Sequence, residues 1–333
     1  MNIKDYTLLK FNDLFNLSIE FFINRYNIGY NEAINDKRTF LKIFKEWETK
    51  NIMNEKEQFL KKLKQFANTL TDYVSTNEGN WSIKGFIDVD EQIYTISSDT
   101  KIISKILEIQ LFPKFKEFAK ENGYKIVLAE KQNWYPDLSF VKIDNERIKF
   151  AVDIKTTYKL DEYDGFCNGF TLGSHGEYFR NRTSHKNIQY PYAEYTAHIC
   201  LGILYTRAIS ADIDETEILE FSKLKNITSV ISNLIFFAEE KWKISSNRGG
   251  SGNTANIGSI DYIEDLLNGN GVFKNLGEQI FDEYWINQGV LQVLKPNSTT
   301  EYKKLTKLTE FLNFKGMDIS LINQPKPKKK NKK

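Results

Sequence analysis

A chain of 333 residues, 41% hydrophobic and 27% charged, has the composition of a globular protein of about two domains, or of one large domain with an appendage. The net charge of +2 announces no polyanionic partner by itself, and the longest apolar run, Ile199–Tyr205, is far short of the roughly 18 residues that cross a bilayer. Met1–Tyr6 lacks the apolar core of a secretory signal, and Cys167 and Cys200 cannot make a disulfide framework, so a cytoplasmic location is expected; three histidines without a Cys pair argue against zinc and leave a hard ion held by carboxylates as the expected metal.

In chain order, apolar positions at helical spacing in Phe15–Phe22 and Phe40–Trp47 predict two or three amphipathic helices within residues 1–56, and Phe59–Phe66 continues the pattern. Ile83–Ile87 and Gln92–Ile96, separated by Asp88–Glu91, predict a hairpin. Ser98-Asp-Thr100 is a capping signal for a helix from Lys101 to about Lys120, broken at Asn122-Gly123. Tyr124–Leu128 alternates as a strand. Leu138–Ile143 and Ile148–Ile154, joined by Asp144–Glu146, predict a second hairpin. Residues 190–207 read as a helix running into an apolar stretch, and Asn233–Ile244 reads as a long strand. That strand empties into a Gly, Ser and Asn loop over Ser245–Ser259, followed by a helix over Tyr262–Leu267 that stops at Gly269. Pro325–Lys333 reads as a disordered basic tail, which either solubilises the chain or holds phosphates non-specifically.

The second hairpin carries the candidate chemistry. Residues i and i+2 of a strand share a face, so Asp153 and Lys155 project together, and the hairpin brings Asp137, just after Pro136, toward them. Two carboxylates and an ammonium around one point suit Mg²⁺, which takes oxygen ligands and is commonly held by one or two carboxylates plus substrate phosphate. Lys155 is then positioned to stabilise transition-state charge or to help deprotonate a water. An exposed Asp and Lys on a strand are also an ordinary solvated edge. Against that, Asp153 interrupts an apolar run, where an uncompensated carboxylate is costly. The Gly249–Gly258 loop lacks the Gly-Lys-Ser/Thr ending of a nucleotide-binding loop. Its short amides and hydroxyls suit base edges, since Asn pairs well with adenine in the major groove; a plain surface loop is the alternative.

These segments resemble the EcoRV family of type II restriction endonucleases. Tyr135-Pro-Asp137 with Asp153-Ile-Lys-Thr-Thr-Tyr158 is similar to the family's catalytic segment, and Gly250-Ser-Gly-Asn-Thr-Ala-Asn-Ile-Gly-Ser-Ile260 to its recognition loop. Phe170–Gly173, Arg180-Asn181, Lys186-Asn187, Tyr190-Pro191, Ala197-His198, Tyr205–Arg207 and Ser98–Lys101 with Ser104 and Glu108 match in order, so the likeness runs from about residue 57 to about 286.

The resemblance implies an α/β restriction-endonuclease-like core, a mixed sheet flanked by helices, and the helical spacing of residues 1–56 adds a helical N-terminal extension. The expected divisions are an extension over 1–56, a dimerisation subdomain over 57–100, the nuclease core over 101–290 and a C-terminal segment with the basic tail over 291–333, the middle two following the resemblance. The resemblance implies Asp137 and Asp153 as Mg²⁺ ligands, the Ile154 carbonyl as a third, Lys155 as the catalytic lysine and Glu108 as an auxiliary acid at a second metal position. Gly250, Gly252, Asn253 and Thr254 would contact bases in the major groove, Asn133 would sit at the minor groove, and Thr171 near the central bases. Asn256, Lys186 and Arg207 would be phosphate or other DNA contacts. A homodimer through residues 82–97 and the helix around Phe59–Phe66 is implied, together with cleavage of double-stranded DNA at GATATC, leaving blunt ends and 5′-phosphates, and a DNA methyltransferase as functional partner. A structure-selective repair or junction nuclease on the same core is the rival reading. The extension, the Ser184-His185 insertion and the Lys131 and Trp134 side chains depart from the family pattern.

Overall fold

The computed structural model describes residues 37–208, 216–250, 255–295 and 298–330, without the side chains of 37–48 and 51. The chain divides into two units, Met1–Glu57 and Gln58–Lys333. In the first, residues 37–57 are helical; the Phe15–Phe22 stripe lies outside the described residues. Where separate helices were expected, a single helix, α1, runs over Lys37–Val74.

In the second unit, Phe59, Leu63, Ala67, Leu70 and Val74 recur at helical spacing along α1 and are buried. Strands β1 (Gly85–Ile87) and β2 (Gln92–Thr95) form the expected first hairpin. Helix α2 (Thr100–Glu121) starts where Asp99 accepts hydrogen bonds from the amides of Lys101 and Ile102, and stops before Gly123 at φ 76°. Then follow β3 (Tyr124–Leu128), β4 (Leu138–Lys142), β5 (Lys149–Tyr158), β6 (Thr171–Ser174), the single turn α3 (Glu177–Arg180), β7 (Ala197–Arg207), β8 (Ile218–Glu220) and β9 (Ile231–Glu240). β10 (Ser245–Gly249), β11 (Asn256–Ser259), α4 (Ile263–Asn268), α5 (Glu278–Asn287), β12 (Gln292–Leu294), β13 (Tyr302–Lys304) and α6 (Leu308–Phe314) complete the chain.

The main sheet has the order β3-β4-β5-β7-β9, with β5 and β7 parallel and the other pairs antiparallel. This is the expected mixed α/β architecture. Alternation along β5 sends Phe150, Val152 and Ile154 into a core shared with α1 and α2, where Phe59 stacks on Phe150 at 4.0 Å between centroids. Ala151 belongs to a second core on the opposite face, built with Tyr135, Tyr178, Tyr192, Phe237 and Trp285. By strand parity Asp153 and Lys155 lie on that opposite face.

Two expectations need correction. Residues 197–207, read as part of a helix, are strand β7, preceded by a 3₁₀ turn at Tyr192–Glu194; β7 is buried on both faces and shows no alternation to betray it. The Ser245–Ser259 segment is not a plain loop, since β10 and β11 flank its tip and pair with each other, and β11 pairs in turn with β6. The apolar side of Phe59–Phe66 is committed to the protomer's own core, which leaves the polar side of that helix facing outward. Residues 323–330 have no regular secondary structure but lie against the surface. Lys328 pairs with Asp261 at 2.8 Å, Lys330 with Glu162 at 3.3 Å, and Lys326 sits 3.7 Å over the Tyr262 ring. No helix among the described residues is long and apolar enough to cross a membrane.

Candidate active site

β4 and β5 pair in register, Leu138 opposite Val152, so Asp137 at the mouth of β4 meets Asp153 on β5. The Tyr135–Pro136 bond before it is cis. Asp137 Oδ2 accepts a 2.7 Å hydrogen bond from the Ile154 amide, and the Asp137 carboxyl also touches that of Asp153. Lys155 Nζ stands 2.6 Å from Asp153 Oδ2. Asp137, Asp153 and Lys155 therefore converge, as the spacing predicted.

Burial, then the charge of Asp153, pushes the Asp137 carboxyl up to about 7, against the pull of Lys155 and the Ile154 amide. Burial opposes the charge on Lys155, yet Asp153 and Asp137 outweigh it and hold the ammonium above its ordinary value. Two carboxylates held side by side, one of them pushed toward neutrality by the other, offer hard oxygen donors to a positive ion. That donor set fits a divalent cation such as Mg²⁺ and not a soft metal.

A cleft of about 780 Å³ opens over the site, lined by Glu108, Trp134, Asp137, Ile154, Lys155 and Thr171 among others. Glu108 thus faces the same cleft from α2, paired with Lys105 at 2.6 Å. Among the described residues no three His, Cys, Asp or Glu groups gather closely enough to hold one ion, so Glu108 stands apart from the Asp137–Asp153 pair. The Ile154 side chain is buried in the first core.

The expected DNA-contacting residues divide. Gly252, Asn253 and Thr254 lie outside the described residues. Gly250 is at the root of the loop, its amide donating to the Asn256 carbonyl at 2.6 Å, and Asn256 opens β11. A Cβ on Gly250 would lie 2.6 Å from Thr171 Cγ2, so the absent side chain is what lets the loop root close on a residue that lines the cleft. Asn133 lines a smaller cavity of about 350 Å³ that also holds Asp137, Asp153, Lys155 and Gly173. Lys186 is exposed, its amide bonded to Ser184 Oγ. Arg207 is drawn to α2, donating to Thr100 Oγ1 at 2.7 Å and stacking 3.6 Å over Tyr158.

The family profile described as restriction endonuclease EcoRV matches residues 77–316. The chain belongs to the EcoRV restriction endonuclease family. It is 35% identical over 227 residues to the type II restriction enzyme EcoRV of Escherichia coli, an alignment covering 67% of this chain and 90% of that protein. As a member of this EcoRV family it is a type II site-specific deoxyribonuclease acting on double-stranded DNA, and nucleases of this kind are generally metal-dependent.

Sequence reasoning missed two members of the surroundings. Tyr178 lines the smaller cavity beside Asp153, and Lys241 is buried beneath that cavity. Lys241 closes the charged run Glu239-Glu240-Lys241, so nothing local in the sequence set it apart.

Proposed function

We propose that this enzyme cuts the palindrome GATATC at its centre, leaving blunt ends with 5′-phosphates, with Mg²⁺ held by Asp137 and Asp153. The observation that carries the catalytic part is the buried Asp137–Asp153 pair with Lys155 at 2.6 Å. The sequence reading is supported by the near identity of Gly250–Ile260 to the family's recognition loop and by the closeness of Gly250 to Thr171.

Asp137 and Asp153 would hold the ion, with the Ile154 carbonyl as a third donor, and Glu108 would serve a second ion. When bound, Mg²⁺ polarises the scissile phosphoryl group and offsets its charge. The Ile154 amide keeps Asp137 oriented, while the Lys155 ammonium leaves Asp153 for the phosphate and stabilises the charge that develops there. Gly250, Gly252, Asn253 and Thr254 read bases in the major groove. Thr171 lies by the central bases and Asn133 by the minor groove. Asn256, Lys186 and Arg207 contact the backbone, Arg207 after exchanging Thr100 for a phosphate.

A palindrome with two symmetry-related scissile bonds calls for two active sites related the same way, and a C₂ homodimer provides them. The β1–β2–β8 sheet supports this assembly, because Phe86, Ile87 and Ile218 on it, with Val89 in the β1–β2 turn, are all more than half exposed. A methyltransferase of the same specificity is the functional partner that protects host DNA, and the cytoplasm is where both act. Digestion of a sequenced plasmid with and without Mg²⁺, followed by end mapping, tests this function.

A further inference from the structure

Lys241 ends the run that continues β9 and opens the 3₁₀ turn Lys241–Lys243. Its residue is 4% exposed, and its Nζ has no hydrogen-bonding partner. The ammonium instead lies among aromatic faces, with Phe179, Tyr135 and Tyr192 centroids at 5.2, 5.5 and 5.7 Å. A Cβ on Gly173 would stand 3.5 Å from that Nζ and 3.3 Å from the Tyr178 hydroxyl. Gly173 and Tyr178 both line the cavity that holds Asp137, Asp153 and Lys155. Lys241 therefore sits directly behind one wall of the active site.

A buried ammonium without a hydrogen-bonding partner is costly, and a packing role at this position would be met by methionine. Three nearby carboxylates have cations of their own: Glu240 pairs with Lys243 at 2.8 Å, Glu239 with Lys64 at 2.5 Å, and Asp282 with Arg182 at 2.6 Å, while Glu177, which also lines the cavity, is exposed. Burial draws Lys241 down to about 8, and the charge that most opposes this is Asp153, ahead of Asp282. Two carboxylates, Asp137 and Asp153, thus face two ammonium groups, a mobile one on Lys155 and a fixed one on Lys241.

We infer that Lys241 is a positioning residue that restrains the affinity of the DNA-free site for a divalent cation, so that ion and DNA load together. The inference rests on the reading of Asp137 and Asp153 as the metal-holding pair. An added dication meets the repulsion of Lys241 until the scissile phosphate contributes a compensating negative charge.

The test is Ca²⁺ titration of the full-length, DNA-free protein by calorimetry at neutral pH, comparing wild type with Lys241→Met and Lys241→Arg. Lys241→Met should bind Ca²⁺ about tenfold more tightly, as expected for loss of one nearby like charge in a partly buried site. By reciprocity, Ca²⁺ should then strengthen binding of a cognate duplex less than it does for wild type. Lys241→Arg, which keeps the charge, should stay close to wild type. A folded Lys241→Met with unchanged or weaker Ca²⁺ affinity overturns the proposal. A Lys241→Met that folds only with Ca²⁺ present supports it, since one cation then replaces the other; one that fails to fold with or without Ca²⁺ overturns it, as does Lys241→Arg behaving like Lys241→Met. If no variant of the Asp137–Asp153 pair alters Ca²⁺ binding, the underlying metal reading has failed instead.

Discussion

The main-chain amide of Ile154 donates a 2.7 Å hydrogen bond to Oδ2 of Asp137, so the strand carrying Asp153 and Lys155 also fixes the carboxylate delivered by its neighbour. Asp153 and Lys155 are set by β5, and the segment that enters β4 carries Asp137 to them. That arrangement has a consequence in pH.

Burial and the Asp153 charge hold the Asp137 carboxyl up near 7, so a proton and a divalent cation compete for it. Ca²⁺ affinity of the DNA-free protein should rise with pH to about 7 and level off above it, with roughly one proton released per ion on the acid side. The stability effect has the opposite sign. The folded value is raised above the ordinary 3.8, so the metal-free protein gains its full contribution below that value and loses it as pH rises through about 7. Melting curves of metal-free wild type and Asp137→Asn across this interval check the sign. A wild-type stability that does not fall relative to Asp137→Asn contradicts it.

Lys155 lies 2.6 Å from Asp153, close enough for its ammonium to transfer to a phosphate brought into the cleft. Lys155→Ala should lower the single-turnover cleavage rate by about 10²–10³-fold, the usual cost of removing one group that stabilises developing charge. Binding to a cognate duplex in Ca²⁺ should change far less. Equal losses in binding and rate would make Lys155 a simple phosphate contact.

Gly250 and Thr171 should be coupled, because an alanine Cβ at Gly250 would meet Thr171 Cγ2 at 2.6 Å. Gly250→Ala should reduce cleavage at the cognate site while leaving the melting temperature nearly unchanged. Thr171→Ser removes that methyl group, and the double variant should recover part of the lost cleavage. Strictly additive losses would place the two residues in separate roles.

Gly202 stands opposite Lys155 across the β5–β7 pairing, and a Cβ there would lie 2.1 Å from the Phe237 ring. Gly202→Ala should destabilise the fold by about 1–3 kcal/mol through overpacking, read as a lower denaturant midpoint. Unchanged stability would mean that the ring shifts freely, contrary to its burial at 5% exposure.

The catalytic hairpin was legible because its chemistry breaks its own pattern. Asp153 and Lys155 alternate with Phe150, Val152 and Ile154, and the turn at Asp144–Glu146 is polar, so spacing alone predicts which side chains meet. Helix α2 was legible from Asp99 as cap and from its apolar spacing. Strand β7 was not, since Ala197–Tyr205 is buried throughout and a continuous apolar run carries no period. β10 and β11 were hidden for the opposite reason: Ser, Asn and Gly pack few apolar groups, and backbone pairing with β6 holds the strands together. The aromatic surroundings of Lys241 depend on β9, α3 and the segment before β7 meeting in space. No local signal in the sequence reports such a meeting.

The most direct test of the account is exhaustive digestion of a sequenced plasmid by wild-type enzyme in Mg²⁺, with both ends of every fragment mapped, beside EDTA and Asp153→Ala controls. Blunt ends bearing 5′-phosphates are expected at the centre of every GATATC, with no cleavage in either control. Cleavage by folded Asp153→Ala, or undiminished cutting in EDTA, would contradict the assignment of the Asp137–Asp153 pair as the metal-holding centre.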